Sequence, residues 1–217
     1  MQVLGRLAYG PALALQERCH AAVLTGADDS LLLVEHPPVV TLGRNGGAQN
    51  LLRGPAQLAA AGIELVETGR GGDVTYHGQG QLVVYPILQL QPEEQDIRAY
   101  VTRLEEIILR TAADFGVIGE RQAGLRGIWV GQNKLAAIGV RLVRWATLHG
   151  FALNVSGELA GFEHIVACGL HGRGVTSLAR LAAAAPAWDV VQARIVHHAG
   201  AVLARTPYFS ESQGEGT

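Results

Sequence analysis

Cys168 lies in the run Val166-Ala167-Cys168-Gly169-Leu170. Small neighbours on both sides leave room for an incoming acyl carbonyl. Backbone N–H groups beside a glycine are natural donors to an oxyanion. The run therefore suits a nucleophile that forms a thioester. It suits a buried core cysteine equally well, since free cysteine is among the most buried residue types. The second cysteine, Cys19, falls with Leu15, Ala22 and Val23 on the apolar face of a helix, where it is expected to pack. A nucleophilic cysteine needs an activator, because a free thiol with a pKa of about 8.5 is mostly protonated at neutral pH.

Lys134 is a candidate activator. If Leu135 to Val143 is a strand, the two-residue period sets Lys134 on the face of Ala136, Ile138, Val140 and Leu142. Burial disfavours an ammonium and suits a lysine to act as a base. If the strand begins later, Lys134 stands in solvent at the turn Gly131-Gln132-Asn133. Histidines compete for the role. His36, His77 and His149 adjoin turn or glycine signals at strand ends, His164 and His171 flank Cys168, and His197-His198 read as a solvated or packing pair on a helix.

Other chemistries lack their motifs. There is no HExxH, no CxxC and no Cys/His cluster, so no metal and no disulfide framework are expected. No GxxxxGK[ST] is present, and no GxGxxG follows a strand into a helix, so no standard nucleotide site is expected.

These residues must be held by regular elements. Helices are expected from Pro11 with Leu15, Cys19, Ala22 and Val23, and from Pro92 with Ile97, Tyr100, Val101, Leu104, Ile107, Ile108 and Phe115. A third carries Trp188, Val191, Ile195, Ala199 and Val202. A short helix is expected over 55–61. Strands are expected over 30–35, 39–42, 63–67, 81–88, 128–130, 135–143 and 148–155. The strands cluster instead of alternating with helices, which gives an α+β fold with a mixed sheet flanked by helices. The 28 glycines are nearly twice the average share of about 7%. Those at 69, 71, 72, 78 and 80 mark a ligand-facing loop, because glycine lets a backbone approach a ligand closely.

A length of 217 residues fits one domain, expected over 1–209, with a disordered tail over 210–217. A net charge of -2 with scattered arginines excludes nucleic-acid binding by bulk electrostatics. No apolar run is long enough to span a membrane. The apolar stretch from Leu7 to Leu15 is broken by Gly10-Pro11 and is not expected to be a signal peptide. Two distant thiols and no export signal predict a reducing, cytoplasmic setting.

Several stretches resemble one family. Glu35-His36-Pro37-Pro38-Val39-Val40-Thr41-Leu42-Gly43-Arg44 is similar to a block of the lipoyl(octanoyl) transferases. So are Arg70-Gly71-Gly72-Asp73-Val74-Thr75-Tyr76-His77-Gly78-Gln79-Gly80-Gln81-Leu82 and Lys134-Leu135-Ala136-Ala137-Ile138-Gly139-Val140-Arg141. His149-Gly150-Phe151-Ala152-Leu153-Asn154 follows, then Cys168-Gly169-Leu170 with Val175-Thr176-Ser177-Leu178. The blocks stand in the family's order across residues 35 to 178, a joint match far more specific than any block alone.

The resemblance implies a fold of the biotin/lipoate protein ligase type. It implies Cys168 as the acyl-thioester residue and Lys134 as its activator. It also implies an acyl site lined by Arg70, Gly71, Gly72, Asp73, Val74, Thr75, Tyr76, His77, Ala137, Ile138, Gly139, Gly150, Phe151 and Ala152. The implied donor is octanoyl-acyl carrier protein, with no cofactor. The implied acceptors are lipoyl domains of 2-oxoacid dehydrogenase complexes and the glycine cleavage H protein. The sequence departs from the family at Gln79 and Ala167, where proline is usual. An octanoyl amidotransferase between lipoyl-bearing proteins, an ATP-dependent lipoate ligase and a non-catalytic carrier-binding module are the alternatives.

Overall fold

The segment Gln81–Ile87 is buried along its whole length, and its side chains alternate between two apolar clusters. Leu82 and Val84 pack on one side with Tyr100, Leu104 and Ile195, while Val83, Tyr85 and Ile87 pack on the other with Leu15, Cys19 and Val23. A strand covered on both faces reads as a nearly continuous apolar run, and it sits in the middle of the sheet. The computed structural model describes residues 1–157, 159–166 and 172–208. Cys168, Ala167 and His171 lie outside the described residues, as does the tail expected to be disordered.

The strands in chain order are β1 Gln2–Arg6, β2 Ser30–Glu35, β3 Val39–Leu42, β4 Glu64–Glu67, β5 Val74–His77, β6 Gln81–Ile87, β7 Glu120–Gln122, β8 Leu125–Val130, β9 Asn133–Val143, β10 Ala146–Asn154 and β11 Gly174–Val175. The α-helices are α1 Tyr9–Val23, α2 Pro55–Ala60, α3 Ile97–Asp114, α4 Leu178–Leu181 and α5 Trp188–Leu203. The large sheet has eight strands in the order β1-β2-β6-β10-β9-β8-β7, with β11 added beside β9. The small sheet has the order β4-β3-β5. β1 and β2, β3 and β4, and β9 and β11 run parallel, and the other ladders are antiparallel. The fold is α+β, a mixed sheet flanked by helices.

The sequence misplaces three features. Pro92 does not open α3; it starts a single 3-10 turn, Pro92–Glu94. The helix begins at Ile97, where the Asp96 carboxylate accepts the N–H groups of Arg98 and Ala99. That N-cap satisfies donors which a proline cannot. The inward line of α1 is Tyr9, Ala12, Gln16, His20 and Val23, so Leu15 and Cys19 lie half-buried beside it. β5 lies inside the stretch taken for a loop: Val74 to His77 pairs antiparallel with Val39 to Leu42. β1, β7, β11 and α4 also escape the sequence reading. Their short length gives periodicity nothing to repeat.

Candidate active site

Residues of both sheets and of α1 enclose a cavity of about 400 Å³. Of the residues singled out in the sequence, Arg70 to Thr75, His77, Lys134, Ala137 to Gly139 and Gly150 to Ala152 line it. Tyr76 does not. Its side chain joins the small apolar cluster on the face of β5 opposite Thr75 and His77, and its ring stands edge-on to Phe162 at 5.4 Å. Gln79 is exposed in the turn between β5 and β6.

The loop before β5 is fastened from both sides. The Gly71 N–H donates to the Val140 carbonyl oxygen (2.8 Å), while Gly43, Arg44 and Asn45 donate to the carbonyl oxygens of Asp73, Arg70 and Gly72. Asp73 accepts from Asn50 Nδ2 and from the Val74 N–H, each at 2.6 Å. Gly139 permits this close approach, because a Cβ there would stand 2.8 Å from the Gly71 oxygen. Arg70 is 6% exposed and is satisfied by Thr41 Oγ1, the Thr41 carbonyl and the Gly71 carbonyl. The cavity thus has one buried, hydrogen-bonded cation in its wall.

Lys134 reaches the same cavity by a route the sequence does not show. Trp129 pairs with Lys134 but Ile128 pairs with Ala136, so Leu135 is an extra residue in β9. One extra residue reverses the alternation. Lys134 therefore faces away from Ala136, Ile138 and Val140, contrary to the simple period-two expectation. It shares its side of the strand with Ala137 and Gly139. It is also not in solvent: Lys134 is 6% exposed. The bulge is accommodated opposite Gly127, whose φ of 94° suits glycine and whose Cβ would collide with the Ala136 carbonyl oxygen.

His36, His77 and His149, the three histidines beside turn or glycine signals, are buried. His36 Nδ1 lies 2.7 Å from the Leu7 carbonyl oxygen, so Nδ1 carries the hydrogen and Nε2 accepts from Tyr85 Oη at 2.8 Å. His77 Nδ1 donates to Gln81 Oε1 at 2.6 Å. The Gln81 amide is oriented by its bond to Asn154 Oδ1, and Asn154 Nδ2 donates to the Thr176 carbonyl oxygen. The Thr176 N–H in turn donates to the Lys134 carbonyl oxygen, so one chain of hydrogen bonds links His77 to the strand of Lys134.

Burial, reinforced by His36, pushes His77 down to about 3. Burial, then Arg70 and Arg141, pushes His149 down to about 4. Burial also lowers His36 and raises Tyr9 and Tyr85. These histidines and tyrosines are therefore neutral near pH 7. His149 has φ 60°, and its N–H leaves the ladder to donate to Gln16 Oε1. Pro86, which has no N–H to offer β10, is its neighbour across the sheet. His198, by contrast, bonds Asp114 at 2.7 Å and ties α5 to α3.

Sequence reasoning missed Tyr9, Val83, Tyr85, Leu125 and Arg126 as lining residues. For Val83 and Tyr85 the signal existed, since they alternate with Leu82 and Val84 along one strand.

The mixed sheet flanked by helices, with its glycine-rich loop, defines a class of protein. The structure is similar to the bipartite lipoate protein ligase of Thermoplasma acidophilum (TM-score 0.77, 16% identity, 96% of this chain and 85% of that one). Residues 8–200 match the family model described as the lipoyl protein ligase A/B catalytic domain. The octanoyltransferase of Solibacter usitatus is 52% identical over 199 residues, 91% of this chain and 90% of its own length. That of Chloroflexus aurantiacus is 46% identical over 208 residues, 94% and 93% of the two chains. The chain belongs to the lipoyl protein ligase A/B catalytic-domain family and is an acyltransferase. No helix among the described residues is long and apolar enough to cross a membrane.

Proposed function

We propose that this protein, as a single catalytic domain over residues 1–209, transfers an octanoyl group in protein lipoylation. The donor is octanoyl-acyl carrier protein, and the acceptor is a specific lysine of a lipoyl domain. Such domains occur in 2-oxoacid dehydrogenase complexes and in the glycine cleavage H protein. The setting is the cytoplasm. The observation that carries this reading is the placement of Lys134: one extra residue in β9 turns it into the cavity that the glycine-rich loop closes. The relatives' activity supports the octanoyl group as cargo.

In the first half-reaction Lys134 takes the proton of the Cys168 thiol. The thiolate attacks the donor thioester carbonyl, and backbone N–H groups near Cys168 and in the 70–77 loop hold the oxyanion. The carrier thiolate leaves with a proton, and the octanoyl group stays on Cys168 as a thioester. In the second half-reaction the acceptor lysine, having given its proton to Lys134, attacks that thioester. An amide forms and the Cys168 thiol is regenerated. Thioester exchange is nearly isoenergetic, whereas amide formation is downhill and sets the direction. The order is ping-pong. Val83, Val101, Leu125, Ile138 and Phe151 give the tail a largely apolar lining, which helps to keep water from the acyl-enzyme.

The test is intact mass spectrometry after incubation with octanoyl-carrier and no nucleotide. One octanoyl adduct mapping to Cys168 is expected. Transfer that starts only when ATP is added would make the chain a ligase. An adduct on Cys19 would remove Cys168 from the mechanism.

A further inference from the structure

Trp129 is 1% exposed, and its indole lies directly across the β8–β9 ladder from Lys134. Lys134 Nζ sits over that ring, 4.7 Å from its centroid. The guanidinium of Arg173 lies over the same indole at 5.0 Å and bonds Gln122 Oε1 at 2.5 Å. The negative face of an indole attracts a cation, most strongly where water is excluded. A lysine side chain has a long flexible stem, and contact with the ring limits where its Nζ can stand. Arg173 leads into β11, whose Val175 pairs with Lys134, and it follows Cys168 by five positions in the chain. One indole thus contacts both the lysine and the stretch of chain that emerges from the cysteine.

From this arrangement we infer that Trp129 is a positioning residue: its ring holds the ammonium that forms when Lys134 takes the thiol proton, anchors Arg173, and so sets the approach of lysine and thiol. The inference rests on the reading of Lys134 as the activator of Cys168. Trp129 touches no reacting atom. Its contribution passes through Lys134 and belongs to the turnover step rather than to donor binding.

The experiment measures single-turnover octanoyl loading of Cys168 at saturating carrier, together with the KM for the carrier. Trp129→Leu should slow loading roughly 3- to 10-fold with KM little changed, and Trp129→Phe should recover most of the loss because a π face remains. Adding Trp129→Leu to Lys134→Met should cost nothing further, since the partner is already gone. If the leucine variant does not fold, fluorinated tryptophan at position 129, with Trp145 and Trp188 changed to phenylalanine, weakens the π face at nearly constant shape. It should slow loading in step with fluorine number. Loading insensitive to fluorination, phenylalanine no better than leucine, or an undiminished loss in the Lys134→Met background would each overturn the inference. No octanoyl on Cys168 in the wild type would bring down the thioester reading itself, and this inference with it.

Discussion

The Gly71 N–H donates to the Val140 carbonyl oxygen at 2.8 Å, and this bond joins the loop of the small sheet to the middle of a strand in the large one. The next residue along that strand toward the cavity, Gly139, has no side chain to keep the two backbones apart. Gly139→Val should lift the loop. We expect KM for octanoyl-carrier to rise about tenfold, in line with about 1.4 kcal/mol of lost binding. The melting temperature should fall by only a few degrees. Steady-state kinetics at two carrier concentrations would show it. An unchanged KM would mean the loop does not shape the acyl site.

Lys134→Met removes the proposed base and keeps much of the stem volume. Turnover should drop by roughly 10²- to 10⁴-fold. Iodoacetamide should alkylate Cys168 more slowly at neutral pH, with the difference closing as pH rises past about 8.5, where a thiol ionises unaided. Lys134→Arg should not rescue, because a guanidinium does not give up its proton. Superimposable alkylation profiles would remove Lys134 as activator. His77 and His149, both held neutral in the cavity wall, would then be tested in its place.

The same two histidines predict acid sensitivity. Their folded values of about 3 and about 4 lie below the ordinary 6.5. Above about 6.5 both are neutral whether the chain is folded or not, and they give no pH dependence. As pH falls below that value, the unfolded chain takes up protons that the folded chain refuses. Stability should therefore fall as the pH drops from about 6.5 toward 4, by up to about 1.4 kcal/mol per pH unit for each histidine. Below the folded values the loss levels off. Urea unfolding at pH 7, 6 and 5 measures it, and His77→Gln should remove about half of the slope. A flat profile from 7 to 5 would contradict the burial assigned to these rings.

Cys19 is half-buried beside Val23 at the edge of the α1 cluster. Cys19→Ala should keep turnover and lose about 1 kcal/mol of stability. A large loss of activity in a variant that melts like the wild type would give this thiol a part in the chemistry.

Where the sequence carried a periodic or steric signal, the fold was legible. Pro37-Pro38 separates β2 from β3, and both strands fall at the expected bounds; Pro55 opens α2. The apolar faces of α3 and α5 follow from their spacing, although Asp96 and not Pro92 starts α3. What stayed hidden is not periodic. The inner face of α1 carries Gln16 and His20, polar residues that a hydrophobic pattern assigns to solvent. β5 was masked by the glycines around it. Most of the cavity lining was named through block resemblance, because glycine-rich loops have no amphipathic signature. The face of Lys134 was misread because an extra residue leaves no trace in composition. Tyr9 and Tyr85, brought beside His36 and His77, come from distant elements that local sequence cannot join.

The extra residue Leu135 also divides β9 mechanically. Beyond it, Ala136 to Val143 is zipped to β10 without interruption. Before it, Lys134 pairs with Trp129 of β8 and Val175 of β11, while the β10 ladder ends at Ala136. The lysine therefore rides on a short lever hinged at the edge of the central ladder. The stretch Ala137 to Gly139 and the backbone of the lysine are thus tied to different neighbours, the first to β10 and the second to β8 and β11.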